Sequence, residues 1–73
     1  MQTGIGLLTE RERAVLLAAG RGFTVKESAA WLNISSETVK THKRTLMRKL
    51  GAVNIGNAIA IACELGIWNK LYT

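Results

Sequence analysis

Five cationic side chains fall within ten residues of this 73-residue chain: Lys40, Lys43, Arg44, Arg48 and Lys49. The hydroxyls of Ser35, Ser36, Thr38 and Thr41 stand just before or among them. Donors and positive charges in this pattern grip an anion; alone they break no bond. Wound as a helix, the segment turns Lys40 and Arg44 to one face because they are four apart. Thr41 and Arg48 complete that arc, and Lys43 falls on its flank. The chain carries ten Lys and Arg against five Asp and Glu, a net charge of +5. Four of the acids, Glu10, Glu12, Glu27 and Glu37, precede residue 38, and none occurs between Thr38 and Cys63. A one-sided positive field of this kind fits a polyanion, and nucleic acid before a membrane surface.

Other chemistries lack their parts. His42 and Cys63 are the only histidine and the only cysteine, so no tetrahedral ligand set assembles around them. His42 is read as packing at the edge of an apolar stripe, with a hydrogen bond to a phosphate or to backbone. No nucleophile–base pair, phosphate-cradling glycine loop or carboxylate pair is present. No enzyme activity, no cofactor and no small-molecule ligand is therefore expected in this chain. A single cysteine forms no internal disulfide and fits a reducing compartment, and its apolar neighbours predict a buried, inert thiol. Trp31 and Trp68 are read as core or interface aromatics. No run approaches the roughly 18 apolar residues of a membrane span, and the first residues lack a secretory layout. The expected location is cytoplasmic, at the nucleoid.

The elements that position the cations follow from caps and periodicity. With 48% hydrophobic and 21% charged residues and no proline, the composition predicts a single all-α domain. Thr9 and Glu12 have the capping-box spacing and open a helix over about 10–20, whose apolar stripe is Leu8, Val15, Leu16 and Ala19. Gly20 and Gly22 end it. Thr24 and Glu27 repeat the device for a short helix over 25–32, stopped by Asn33, which tolerates a left-handed backbone. Ser35 or Ser36 caps a third helix, 36–50, whose stripe is Val39, His42, Leu46 and Leu50 and whose stop is Gly51. A fourth helix, 55–65, lies between an Asn54 cap and Gly66, although Ile59 to Ala62 alternates as a strand would. That helix is apolar on two faces, Ile55, Ile59 and Ala62 on one and Ala58, Ile61 and Leu65 on the other. Either the second face meets another subunit, or the tail residues Ile67, Trp68 and Leu71 cover it.

The second and third helices have the pattern of a helix-turn-helix. Ala29 is the small residue where they cross, Asn33 is the turn, and Leu32, Ile34 and Val39 set the angle between them. Such a pair lays its second helix in the DNA major groove. At this point the chain resembles the LuxR/GerE-type helix-turn-helix regulators of bacteria. The resemblance runs from "LTERERAVL" (8–16) through "GFTVKESAAWLNISSETVKTH" (22–42) to "KLGAVNIGNAI" (49–59). Departures are Val25 for a frequent asparagine, Ser28 for a common core isoleucine, and Ile55 for a frequent arginine.

The resemblance implies a four-helix domain, core 25–50, with the third helix in the groove and the fourth pairing two subunits. It also places base contacts at Lys40, Thr41 and Arg44. Guanidinium and ammonium donors suit guanine O6 and N7, and the threonine methyl suits thymine. Lys26, Ser36, Thr38, Lys43, Arg48 and Lys49 are the expected phosphate contacts, and Ile55, Ile59 and Ala62 the expected dimer surface. The expected function is sequence-specific binding of double-stranded DNA in transcriptional control, as a homodimer, with RNA polymerase a further candidate partner. The rival expectation is a small interaction protein that keeps this fold and pairs through the fourth helix with a full-length regulator, blocking it. Either a free-standing regulator or the C-terminal output domain of a longer one is compatible with the sequence.

Overall fold

A computed structural model describes residues 8–64, which form four α-helices: α1 Glu10–Gly20, α2 Val25–Leu32, α3 Ser36–Leu50 and α4 Ile55–Glu64. No strand occurs among the described residues. The alternating Ile59 to Ala62 is helical, as alanine content and the Asn54 cap require. Its end near residue 65, the Gly66 stop and the tail residues Ile67, Trp68 and Leu71 lie outside the described residues.

Each helix starts on a side-chain oxygen. In α1 the Thr9 hydroxyl accepts from the Glu12 amide at 3.1 Å, and the Glu12 carboxylate accepts from the Thr9 amide at 2.9 Å. Thr24 and Glu27 make the same reciprocal pair, at 3.1 and 2.8 Å. The cap of α3 is Ser35, whose hydroxyl accepts from the Thr38 amide at 3.0 Å. Asn54 caps α4 through the Asn57 amide at 2.7 Å.

Three helices stop by one device. Gly22, Asn33 and Gly51 adopt positive φ (85°, 58° and 69°), and the next amide reaches back to close the turn: Phe23 to Ala18 O, Ile34 to Ala29 O, Ala52 to Met47 O. Asn33 is the only non-glycine residue described that does so. Alanine is strained there by about 1 kcal/mol, while glycine is not. Asn33→Ala should therefore lose about that much unfolding free energy in a urea titration, and Asn33→Gly should lose far less. Equal losses in the two variants would show that the left-handed backbone is not what matters at this turn.

The core is the cluster Leu8, Val15, Leu16, Ala29, Val39, Leu46, Ala58 and Ala62. Helix α3 touches all three others and forms its centre. Ala29 is buried at the α2–α3 crossing, as the helix-turn-helix pattern requires. Two details differ from expectation. Ala18, not Ala19, is the fully buried alanine of α1. Cys63 is exposed rather than buried, because Ala58 and Ala62 take the inward line of α4 and the next residue turns away. Arg11 donates to the Leu32 carbonyl at 3.2 Å, engaging an acceptor at the end of α2 that the helix itself leaves open.

Candidate nucleic-acid interface

The exposed residues of α3 are Glu37, Lys40, Thr41, Arg44 and Arg48. Glu37, Thr41, Arg44 and Arg48 follow each other at steps of four, three and four, so they form one line along the helix. Lys40 stands beside it. Val39 and Leu46, on the opposite side, are buried to 1% and 0%. The helix thus presents three cations, Lys40, Arg44 and Arg48, on one side, a ridge along about 12 Å of its axis. A single helix fits a major groove.

The hydroxyls are arranged before any ligand arrives. Thr41 donates to the Glu37 carbonyl at 3.1 Å, which uses its hydroxyl hydrogen and leaves its oxygen lone pairs and its methyl. Ser35 and Thr38 share one hydrogen bond at 2.8 Å. Two hydroxyls carry two hydrogens and this bond uses one, so the other remains for an anion. Ser36 and Lys43 are half-buried at the margins of the ridge, and Lys26 is exposed on α2.

Lys49 is placed differently from its expected role at a phosphate. Its ammonium lies 2.9 Å from the Glu12 carboxylate, across 37 positions of sequence. Glu12 is 4% exposed, so this is a mostly buried pair that joins the start of α1 to the end of α3. Burial works to raise the Glu12 pKa. The Thr9 amide, Lys49 and nearby His42 outweigh it, and the carboxyl titrates below its ordinary range. Lys49 was expected only at a phosphate; the clue to this pairing was an acid, Glu12, set within an apolar stripe.

The expected dimer surface is also redrawn. Ala62 is completely buried, and Ile55 and Ile59 pack their inner sides against the core. The inward line of α4 is therefore Ile55, Ala58, Ile59 and Ala62. His42 is half-buried at the edge of the α3 stripe, as expected. Trp31 is 46% exposed and meets Phe23 edge-on at 5.4 Å, so it is not a core residue. No described helix is long and apolar enough to cross a membrane.

Known proteins are similar to this sequence. A family described as bacterial regulatory proteins, luxR family, matches residues 6–68. The transcriptional activator protein YukR of Yersinia ruckeri is 40% identical over 63 residues, covering 86% of this chain and 28% of that one. The transcriptional regulatory protein MctR of Rhizobium johnstonii is 37% identical over 71 residues, 97% and 33% of the two chains. The nitrate/nitrite response regulator protein NarP of Escherichia coli is 52% identical over 44 residues, 60% and 20% of the two chains. The chain spans a third or less of these relatives' lengths. With a match over residues 6–68 and a cationic third helix behind a three-residue turn, the chain belongs to the LuxR family of bacterial regulatory proteins.

Proposed function

We propose that this chain binds double-stranded DNA sequence-specifically, with α3 in the major groove, and so directs transcription at particular sites. One observation carries the reading: every cation exposed on α3 lies on or beside one line, opposite the side that anchors the helix. Lys40, Thr41 and Arg44 read bases. Lys26, Ser36, Thr38, Lys43 and Arg48 hold phosphates and set the register, and Lys49 serves the domain through Glu12 instead. Two copies pair through α4, using the accessible edges of Ile55 and Ile59 and not Ala62. The domain works in the cytoplasm.

The test is selection of bound sequences from random duplexes, followed by mobility shifts on the selected site and on unrelated DNA. Arg44→Ala should lose roughly tenfold in discrimination at particular base pairs, the scale of one good bidentate contact. Lys43→Ala should weaken every duplex alike and flatten the salt dependence, in log–log form, by about 0.9. Should both variants weaken all sequences equally, the division between reading and holding is wrong. A chain that binds no duplex at low salt, yet binds a full-length regulator tightly, would instead be the blocking protein.

A further inference from the structure

Glu37 is out of place on a surface for DNA. It is the only acid of α3, its side chain is 85% exposed, and it heads the line that continues through Thr41, Arg44 and Arg48. Beside phosphates a carboxylate costs affinity, so an acid there needs a reason. Helix capping does not supply it. In α1 and α2 an acid at the third helical position, Glu12 or Glu27, accepts the cap residue's amide with its carboxylate, while α1 carries a second first-turn acid, Glu10, at its first position. In α3 that position is Thr38, which bonds to Ser35. Glu37 stands one residue earlier, and its carboxylate turns to the Lys40 ammonium at 3.4 Å.

We infer that Glu37 is a specificity-determining residue whose carboxylate accepts a hydrogen bond from the N4 amino group of a cytosine in the major groove. The inference rests on the DNA-binding reading above. Recognition helices of this type touch base edges through their N-terminal residues, and Glu37 is the second residue of α3. A cytosine presents a donor in the groove, while its guanine partner presents two acceptors, O6 and N7. The Glu37–Lys40 pair presents the matching set, an acceptor one helical turn from a donor. Before docking, each side chain satisfies the other; in the groove, Lys40 turns to guanine and Glu37 to cytosine. Elsewhere the carboxylate meets the acceptors of guanine or thymine, or a phosphate, and repels them. Glu37 therefore weakens binding to wrong sequences as well as favouring the right one.

The experiment compares the unsubstituted chain with Glu37→Gln and Glu37→Ala, by selection from random duplexes and by dissociation constants on the selected site and on unrelated DNA. At this exposure neither substitution threatens the fold. The inference expects a cytosine at one position of the parent site. Glu37→Gln should relax that position by roughly tenfold, or move it to adenine, whose N6 and N7 suit an amide. Other positions should hold. Both variants should bind unrelated DNA more tightly, and their salt dependence should steepen by about 0.9. The competing account is an acid that merely favours the start of a helix. It is upheld, and ours overturned, if the variants lose thermal stability while every base preference and the affinity for unrelated DNA stay unchanged. If the unsubstituted chain binds no duplex at low salt, both this inference and the reading beneath it fall; binding with unchanged preferences removes this inference alone.

Discussion

Leu46→Ala is expected to cost the domain about 3 kcal/mol of unfolding free energy, since buried Leu→Ala changes run to about 2–5 kcal/mol. Leu46 is completely buried in the core cluster, on a helix that touches every other helix described. A chain of 73 residues has a stability of about 5 kcal/mol to lose from. The cavity cannot close cheaply, because the core cluster it would open in also holds the fully buried Val15, Leu16 and Val39, drawn from two different helices. In urea the midpoint should therefore fall to less than half the parent value. Val53→Ala is the control: at 86% exposure it should change stability by no more than about 0.5 kcal/mol. DNA binding by Leu46→Ala should follow its folded fraction: near the parent's without denaturant, where about 2 kcal/mol of stability remains, and lost at urea concentrations the parent withstands. Arg44→Ala should lose discrimination even where it is fully folded. A Leu46→Ala midpoint near that of the parent would mean that α3 is not held in place by this side chain.

Features set by near neighbours were legible in the sequence. Thr9 with Glu12, Thr24 with Glu27, and the left-handed Asn33 are each decided within four residues of chain, so reading along the chain finds them. The exposed cationic arc was legible for the same reason: one helix of period 3.6 separates Lys40 and Arg44 from Val39 and Leu46. In α4 that method loses its purchase. Almost every residue from Ile55 to Cys63 is small or apolar, so periodicity has no polar face to contrast with. Only the packed structure shows that Ala58 and Ala62 face inward and Cys63 outward. The Glu12–Lys49 pair was hidden by distance, since a contact across 37 residues exists only once α1 and α3 have docked. Glu37 was visible among the cations but had no assigned work. Its significance emerges from the comparison with Glu12 and Glu27, which shows what a first-turn acid does when it is occupied with a cap.

That buried pair gives the second large effect, and its sign depends on pH. Lys49→Met should destabilise the domain at neutral pH by about 2–3 kcal/mol, because it strands the Glu12 carboxylate, 4% exposed, without its cation. In the parent, Glu12 titrates below its ordinary value of about 4.5, because the Thr9 amide, Lys49 and His42 together outweigh the effect of burial. A depressed folded-state pKa means that the unfolded chain binds the proton more readily. This group's contribution is therefore complete above pH 4.5 and is lost as pH falls through the lower, folded value. Removing Lys49 takes away two of the lowering influences, its hydrogen bond and its charge, and leaves the raising effect of burial opposed only by Thr9 and His42. The folded pKa of Glu12 then rises, so acid neutralises the stranded group and relieves the variant. The stability gap between parent and Lys49→Met should accordingly narrow as pH drops below about 4.5, when followed by urea titrations from neutral to acid. Glu12→Gln separates the two halves of the interaction. Glutamine can still accept the Thr9 amide, as it does in other capping boxes, and it has no charge to strand. This variant should lose less than Lys49→Met at neutral pH, and the slope of its stability with pH in the acid range should be shallower than the parent's. A gap between parent and Lys49→Met that stays constant across the whole range would mean that the charge on Glu12 plays no part in holding α3 to α1.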